Sequence, residues 1–173
     1  MENTKKTWKI DESHSNVTFK VKHMMISTVS GEFEKFEGNV ESAKENFEDA
    51  QFEFSLNVDS ITTKNKDRDT HLKSDDFFNA EKFPKLKFKS TSFDGDTLKG
   101  DLTIRNITKP VSLEVEYNGT AVDPYGQTKA GFEFKGVINR KDFNLTWNGV
   151  TEAGNIVVSD KVRMIVDAQF IKQ

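Results

Sequence analysis

The sequence predicts an all-β protein built on one antiparallel sheet with a single dry face, and three observations carry that prediction. Apolar and polar residues alternate in short runs along most of the chain, the period of a half-buried strand. Turn signals separate the runs: Asp94-Gly95-Asp96, Asn118-Gly119 and Asp123 to Gly126. No long amphipathic helix is available to cover the dry face, so the sheet closes into a barrel or splits into a sandwich. Gly100, Gly131 and Gly136 lie within strands and fit the bends of a barrel, which is the favoured architecture.

The elements follow in order. WKID opens the chain as a short strand. VTFKVKH (17–23) places Val17, Phe19, Val21 and His23 on one face and Thr18, Lys20 and Lys22 on the other. EFEKFEGNV (32–40) alternates less cleanly, with Phe33 and Phe36 three apart, which predicts a bulge. ESAKENFED (41–49) reads as a short helical or irregular link. FEFSLNV (52–58) sets Phe52, Phe54, Leu56 and Val58 on one face. LKFKS (86–90), LKGDLTI (98–104), VSLEVEY (111–117), AGFEFKGVI (130–138) and VRMIVDAQF (162–170) bring the count to eight or nine strands. Alternation stops over 63–80. There RDTHLKSDDFF (68–78), polar but ending in two phenylalanines, predicts a short helix or two in a long connection.

Composition narrows the function. The chain has 173 residues, the size of one domain, here 1–173. Net charge is −3, with lysine and glutamate interspersed, so neither a nucleic-acid stripe nor a polybasic membrane anchor is written in the sequence. Cysteine is absent, which excludes disulfides, thiolate metal sites and thiol catalysis. No apolar run approaches the roughly 18 residues of a membrane span. MENTKKTWKI has no secretory h-region, so the expected address is cytoplasmic, or periplasmic if a signal has been removed. Fifteen phenylalanines stand against 2 tyrosines and 2 tryptophans, which builds a thick core or an apolar lining.

Catalytic patterns are weak. G-x-S-x-G, the P-loop and the dinucleotide fingerprint are missing. Ser13-His14-Ser15 puts hydroxyls beside an imidazole, but strand neighbours face opposite ways, so His14 reads as a structural hydrogen-bonding residue. His14, His23 and His71 lack the spacing that sets two metal ligands on one face. Convergence in space, with Asp67, Asp69, Asp75 or Asp76 beside His71, would still make a metal or enzymatic centre. A solvated polar loop is the simpler reading. His23 ends an apolar face, either as a core-rim residue bonded to a carbonyl or as a polar group in a pocket mouth. The candidate lining is Phe19, Val21, Phe33, Phe54, Leu56, Phe88, Leu102, Leu113, Phe132, Phe134 and Met164, with His23 at the mouth. The alternation fits a packed-shut interior equally well.

Specific strings go further. WKIDESHSNVTFKVKHMMISTVSGEFEKFEG resembles the opening of the YceI-like family through Trp8, Asp11, His14, Ser15, His23, Gly31 and Phe33. The middle of the chain is similar through Thr63, Arg68, Asp69, His71, Leu72, Asp76, Phe77, Phe78, Pro84, Phe88 and Ser90. LKGDLTIRNITKPVSL and INRKDFNLTW resemble two later motifs. Asn106 and Asn144 stand where glycine is usual, which left-handed backbone would tolerate. The resemblance implies an extended eight-stranded, lipocalin-like antiparallel barrel with a short helical connection around 63–80. It implies non-enzymatic binding of a polyisoprenoid, an isoprenoid quinone or a fatty-acid-like amphiphile inside the barrel, for transport, storage or sequestration, without cofactor, and often as a homodimer. Leu72, Phe77 and Phe78 are expected to pack down over the barrel, with Arg68 and Asp69 structural. The alternatives are an enzyme or metal protein using His14, His23 and His71, and a ligand-free packed barrel.

Overall fold

Eight long strands run up and down in sequence order, and the last pairs with the first. The structure is a computed structural model and describes residues 5–148 and 158–173. Bends divide the first three long strands, so eleven segments appear. The first comprises β1 (Lys6–Ile10) and β2 (Asn16–His23), the second β3 (Ser27–Phe33) and β4 (Phe36–Ser42), the third β5 (Gln51–Asn57) and β6 (Ile61–Thr62). After α1 (Lys66–Lys73) come β7 (Lys85–Phe93), β8 (Thr97–Ile104), β9 (Ile107–Val122), β10 (Thr128–Asn139) and β11 (Val158–Lys172). Strand β11 pairs with β10 on one side and with both β1 and β2 on the other, which closes the eight-stranded antiparallel barrel.

Local chemistry makes each bend. The Asp11 carboxylate caps the turn between β1 and β2, accepting from Ser13 N (3.2 Å), Ser13 Oγ (2.8 Å) and Lys129 Nζ (2.8 Å). Burial opposes its charge, yet the bonds from Lys129, His14 and Ser13 outweigh that and hold the carboxyl well below the ordinary range. Between β3 and β4, Glu34 N–H donates to the Ser60 carbonyl and Lys35 N–H to Ser60 Oγ. The irregularity expected at Phe33 and Phe36 is therefore a bend with both rings buried, not a bulge.

Asn118-Gly119, expected to turn the chain, lies within β9. The pair does not turn the chain; β9 runs through it, with Gly119 at φ +96° and a register shift against Gly131 and Phe132. It is a bulge. The reversal comes at Asp123–Gly126, where Asp123 accepts from Tyr125 and Gln127 N–H. Asn106 (φ +63°) and Asn144 (φ +61°) are both left-handed, which explains how asparagine replaces glycine there.

One end of the barrel is packed shut. Phe52, Phe132, Phe134 and Phe170 fill it, with ring centroids 5.3 to 6.2 Å from Phe52. The link after β4, which reads as polar, supplies the plug: Phe47 is 1% exposed and packs edge-on against Trp8, Tyr117 and Phe132. Asp49 ties that loop, accepting from Ser42 Oγ (2.6 Å), Ala43 N (2.8 Å) and Lys44 N (3.1 Å). Burial raises its pKa, but these bonds win and bring it down from 3.8 to about 2. A depressed carboxyl stabilises the fold above its unfolded pKa and loses that contribution as pH falls through the folded value. Asp49→Asn is therefore expected to cost about 1–2 kcal/mol at neutral pH. The difference from the parent should shrink between pH 4 and pH 2, as urea titrations at several pH values would show.

Candidate functional site

The other half of the barrel is open. An apolar cavity of about 340 Å³ lies there, within the range of small-ligand pockets. Its floor is Phe54 and Phe134, which rest on the aromatic cluster of the closed half. Phe19, Val21, Phe33, Leu56, Phe88, Leu102, Leu113 and Met164 wall it, and His23 lines it near the end of β2. Eleven of the twelve lining candidates thus meet around one space. Phe132 does not; it is buried beneath the floor, stacked with Tyr117 and Phe134. Alternation assigned it to the inward face correctly, but a period of two says nothing about depth along the axis.

Inward-facing glycines keep the lumen clear. A Cβ on Gly31 would fall 2.3 Å from the tip of the Phe19 ring, and one on Gly100 would fall 2.4 Å from the Phe88 ring. These rings lie flat over glycine on the neighbouring strand instead of projecting across the barrel. A large apolar wall and an open interior coexist for this reason.

A helical lid covers the opening. Asn65 caps α1 by accepting from Arg68 N–H (3.0 Å). Leu72, Phe77 and Phe78 face the cavity, and Phe77 is 8% exposed. Asp69 accepts from the Thr63 N–H (2.8 Å), and Arg68 donates from Nε to Thr63 Oγ1 (2.7 Å) and from Nη2 to the Thr63 carbonyl (2.8 Å). The polar half of RDTHLKSDDFF thus fastens the lid and its aromatic half closes it. Arg105, at the β8–β9 turn, reaches 30 residues back to bond the Asp75 (2.9 Å) and Phe77 (2.8 Å) carbonyls.

The segment after β10 lines the cavity beside the lid, and sequence reasoning assigned it no role. Arg140 is 2% exposed and donates to the carbonyls of Leu145 (2.6 Å), Trp147 (2.7 Å), Ser159 (2.9 Å) and Val158 (3.3 Å). Burial pushes its pKa down while Asp160 pushes it up. Leu145, Trp147 and Val158 all face the cavity. The signal was present in INRKDFNLTW, but an arginine whose partners are backbone carbonyls leaves no pattern in side-chain types.

The three histidines part company. His14 Nδ1 meets both Asp11 (2.7 Å) and Ser13 Oγ (3.2 Å), so Ser13, His14 and Asp11 do not form a triad, in which the two partners would take opposite ring nitrogens. His71 Nε2 meets Asp76 (2.8 Å), and its ring packs edge-on to Phe77 and Trp147. His23 lines the cavity, and its ring has no hydrogen-bond partner among the described residues. Among the described residues no three histidine or acidic side chains gather at metal-binding distance.

An eight-stranded up-and-down barrel, half filled and half hollow with an apolar cavity, is a lipocalin-like architecture. The YceI-like domain matches residues 8–170, and the chain belongs to that family. A UPF0312 protein of Staphylococcus aureus strain N315 is 35% identical over 161 residues, covering 92% of this chain and 94% of the relative. Burkholderia cenocepacia BcnA shares the fold with TM-score 0.78 at 21% identity, over 92% of this chain and 98% of its own. The Campylobacter jejuni YCEI protein superposes with TM-score 0.70 at 26% identity, over 88% and 90%. A polyisoprenoid binding domain from Saccharophagus degradans has TM-score 0.71 at 11% identity, over 96% and 98%. Among the described residues no helix is long and apolar enough to cross a membrane.

Proposed function

We propose that this protein binds a long-chain isoprenoid or fatty amphiphile and carries, stores or sequesters it without chemical change. The cavity is the observation that supports this reading: its walls are almost wholly apolar, its floor rests on the packed aromatic cluster, and its few polar liners include His23, Arg68 and His71. Each buried CH₂ contributes roughly 0.8 kcal/mol, so about ten give on the order of 8 kcal/mol before immobilisation costs. The tail lies against Phe19, Leu56, Leu102 and Met164; the head sits among His23, Arg68 and His71. Similarity to a polyisoprenoid binding domain supports the same ligand class at the level of fold.

Two tryptophans make the test direct. Trp147 lines the cavity, whereas Trp8 is buried against Phe47 at the closed end. Added isoprenoid quinone is expected to quench fluorescence saturably in the parent and in Trp8→Phe but not in Trp147→Phe. Extraction should return the quinone unaltered. Quenching that is linear and identical in all three proteins, or a modified quinone, would overturn the reading.

A further inference from the structure

We infer that the β2–β3 hairpin is a foot that sets the cavity mouth on an anionic lipid bilayer. Its tip is Met24-Met25-Ile26, with Met25 66% and Ile26 82% exposed. These apolar groups directly follow Val21 and His23, which line the cavity, so the tip and the mouth are one continuous surface.

The turn is made of the wrong residues for stability. Met24 and Met25 sit at φ +52° and +59°, and Ile26 N–H closes back on the His23 carbonyl (3.2 Å). Asparagine-glycine is the usual occupant of such a turn. Methionine there is strained, and strain that folding does not need marks a position held for another purpose. Flexible, unbranched methionine suits insertion among lipid chains.

Charge identifies the occupant. Residues 17–31 contain Lys20 and Lys22 and no acidic residue. On the outer face Arg163 lies opposite Lys20 across β11, with Lys161 two residues before it. Among the described residues none of these four cations forms an ion pair, whereas nearby Asp160 is engaged by Lys141 (3.4 Å). A chain of net charge −3 thus gathers four cationic side chains beside its apolar tip, none of them ion-paired among the described residues. The charges read as interspersed in sequence because strand pairing, not sequence order, brings them together. Apolar insertion with flanking cations is how peripheral proteins hold an anionic bilayer, each cation adding roughly fivefold in affinity.

That a hydrophobic cargo would pass between bilayer and barrel rests on the carrier reading; the docking does not. The test is therefore co-sedimentation with ligand-free vesicles of phosphatidylcholine with or without phosphatidylglycerol, beside quinone uptake from detergent. The parent should bind the phosphatidylglycerol vesicles and release them in high salt. Lys20→Glu/Lys22→Glu should weaken that binding at least tenfold. Met24→Asn/Met25→Gly should also lose it while melting at the same or a higher temperature, which separates docking from folding. Tyr125→Asp, at the far end of the barrel, should bind as the parent does. Equal binding by all variants, no binding by the parent, or hairpin changes that alter only self-association in sedimentation would overturn the proposal. Loss of quinone uptake with docking intact would instead count against the carrier reading.

Discussion

Arg140→Met is expected to destabilise the protein by about 3–5 kcal/mol, more than any other single change on the rim. The arginine is nearly inaccessible and its donors serve four backbone carbonyls at 2.6 to 3.3 Å. Methionine fills a similar volume but leaves all four carbonyls without that partner in a low-dielectric site. For a chain of this size the midpoint of thermal unfolding should fall by roughly 10 °C. Ligand affinity should fall as well, because Leu145, Trp147 and Val158 lose the anchor that holds them against the cavity. Arg140→Lys should recover only part of the stability, since an ammonium offers a point charge in place of a planar fork. Thermal melts followed by circular dichroism check both variants. A melt unchanged in Arg140→Met would show that water or neighbouring groups satisfy the carbonyls.

Leu56→Asp is expected to remove ligand binding, by at least about 100-fold, with a folding cost small enough for the barrel to persist. Leu56 is only partly buried and faces the cavity beside Phe54 and Leu86. A carboxylate there hydrates and fills the hollow with water, and burying it under an apolar tail costs several kcal/mol. Leu56→Met keeps volume and polarity and should bind as the parent does. Ligand titration of both variants, with circular dichroism as the control for folding, is the check. Binding retained in Leu56→Asp would place the ligand elsewhere.

The barrel was legible because its determinants are local. Period-two alternation assigned the inward faces, and eleven of the candidate residues share one cavity. The lid was legible in part: Leu72, Phe77 and Phe78 pack inward, and Arg68 and Asp69 hold backbone. Four features were not legible, each for a physical reason. Depth along the axis is invisible to a face pattern, which is why Phe132 was grouped with the lining. Phe47 lies in a polar stretch without periodicity, at φ +62°, so nothing marked it as the plug. Arg140 acts on carbonyls contributed by segments 5 to 19 residues away, an arrangement that exists only after folding. The same limit hid the basic edge of the β2–β3 hairpin, where Lys20 and Arg163 become neighbours only through strand pairing.

Native mass spectrometry of the purified protein, followed by organic extraction of whatever it releases, tests the central claim most directly. The half-hollow barrel predicts a bound isoprenoid or fatty species in the parent, absent from Leu56→Asp. A parent that flies empty, and stays empty after incubation with isoprenoid quinone, would contradict the account.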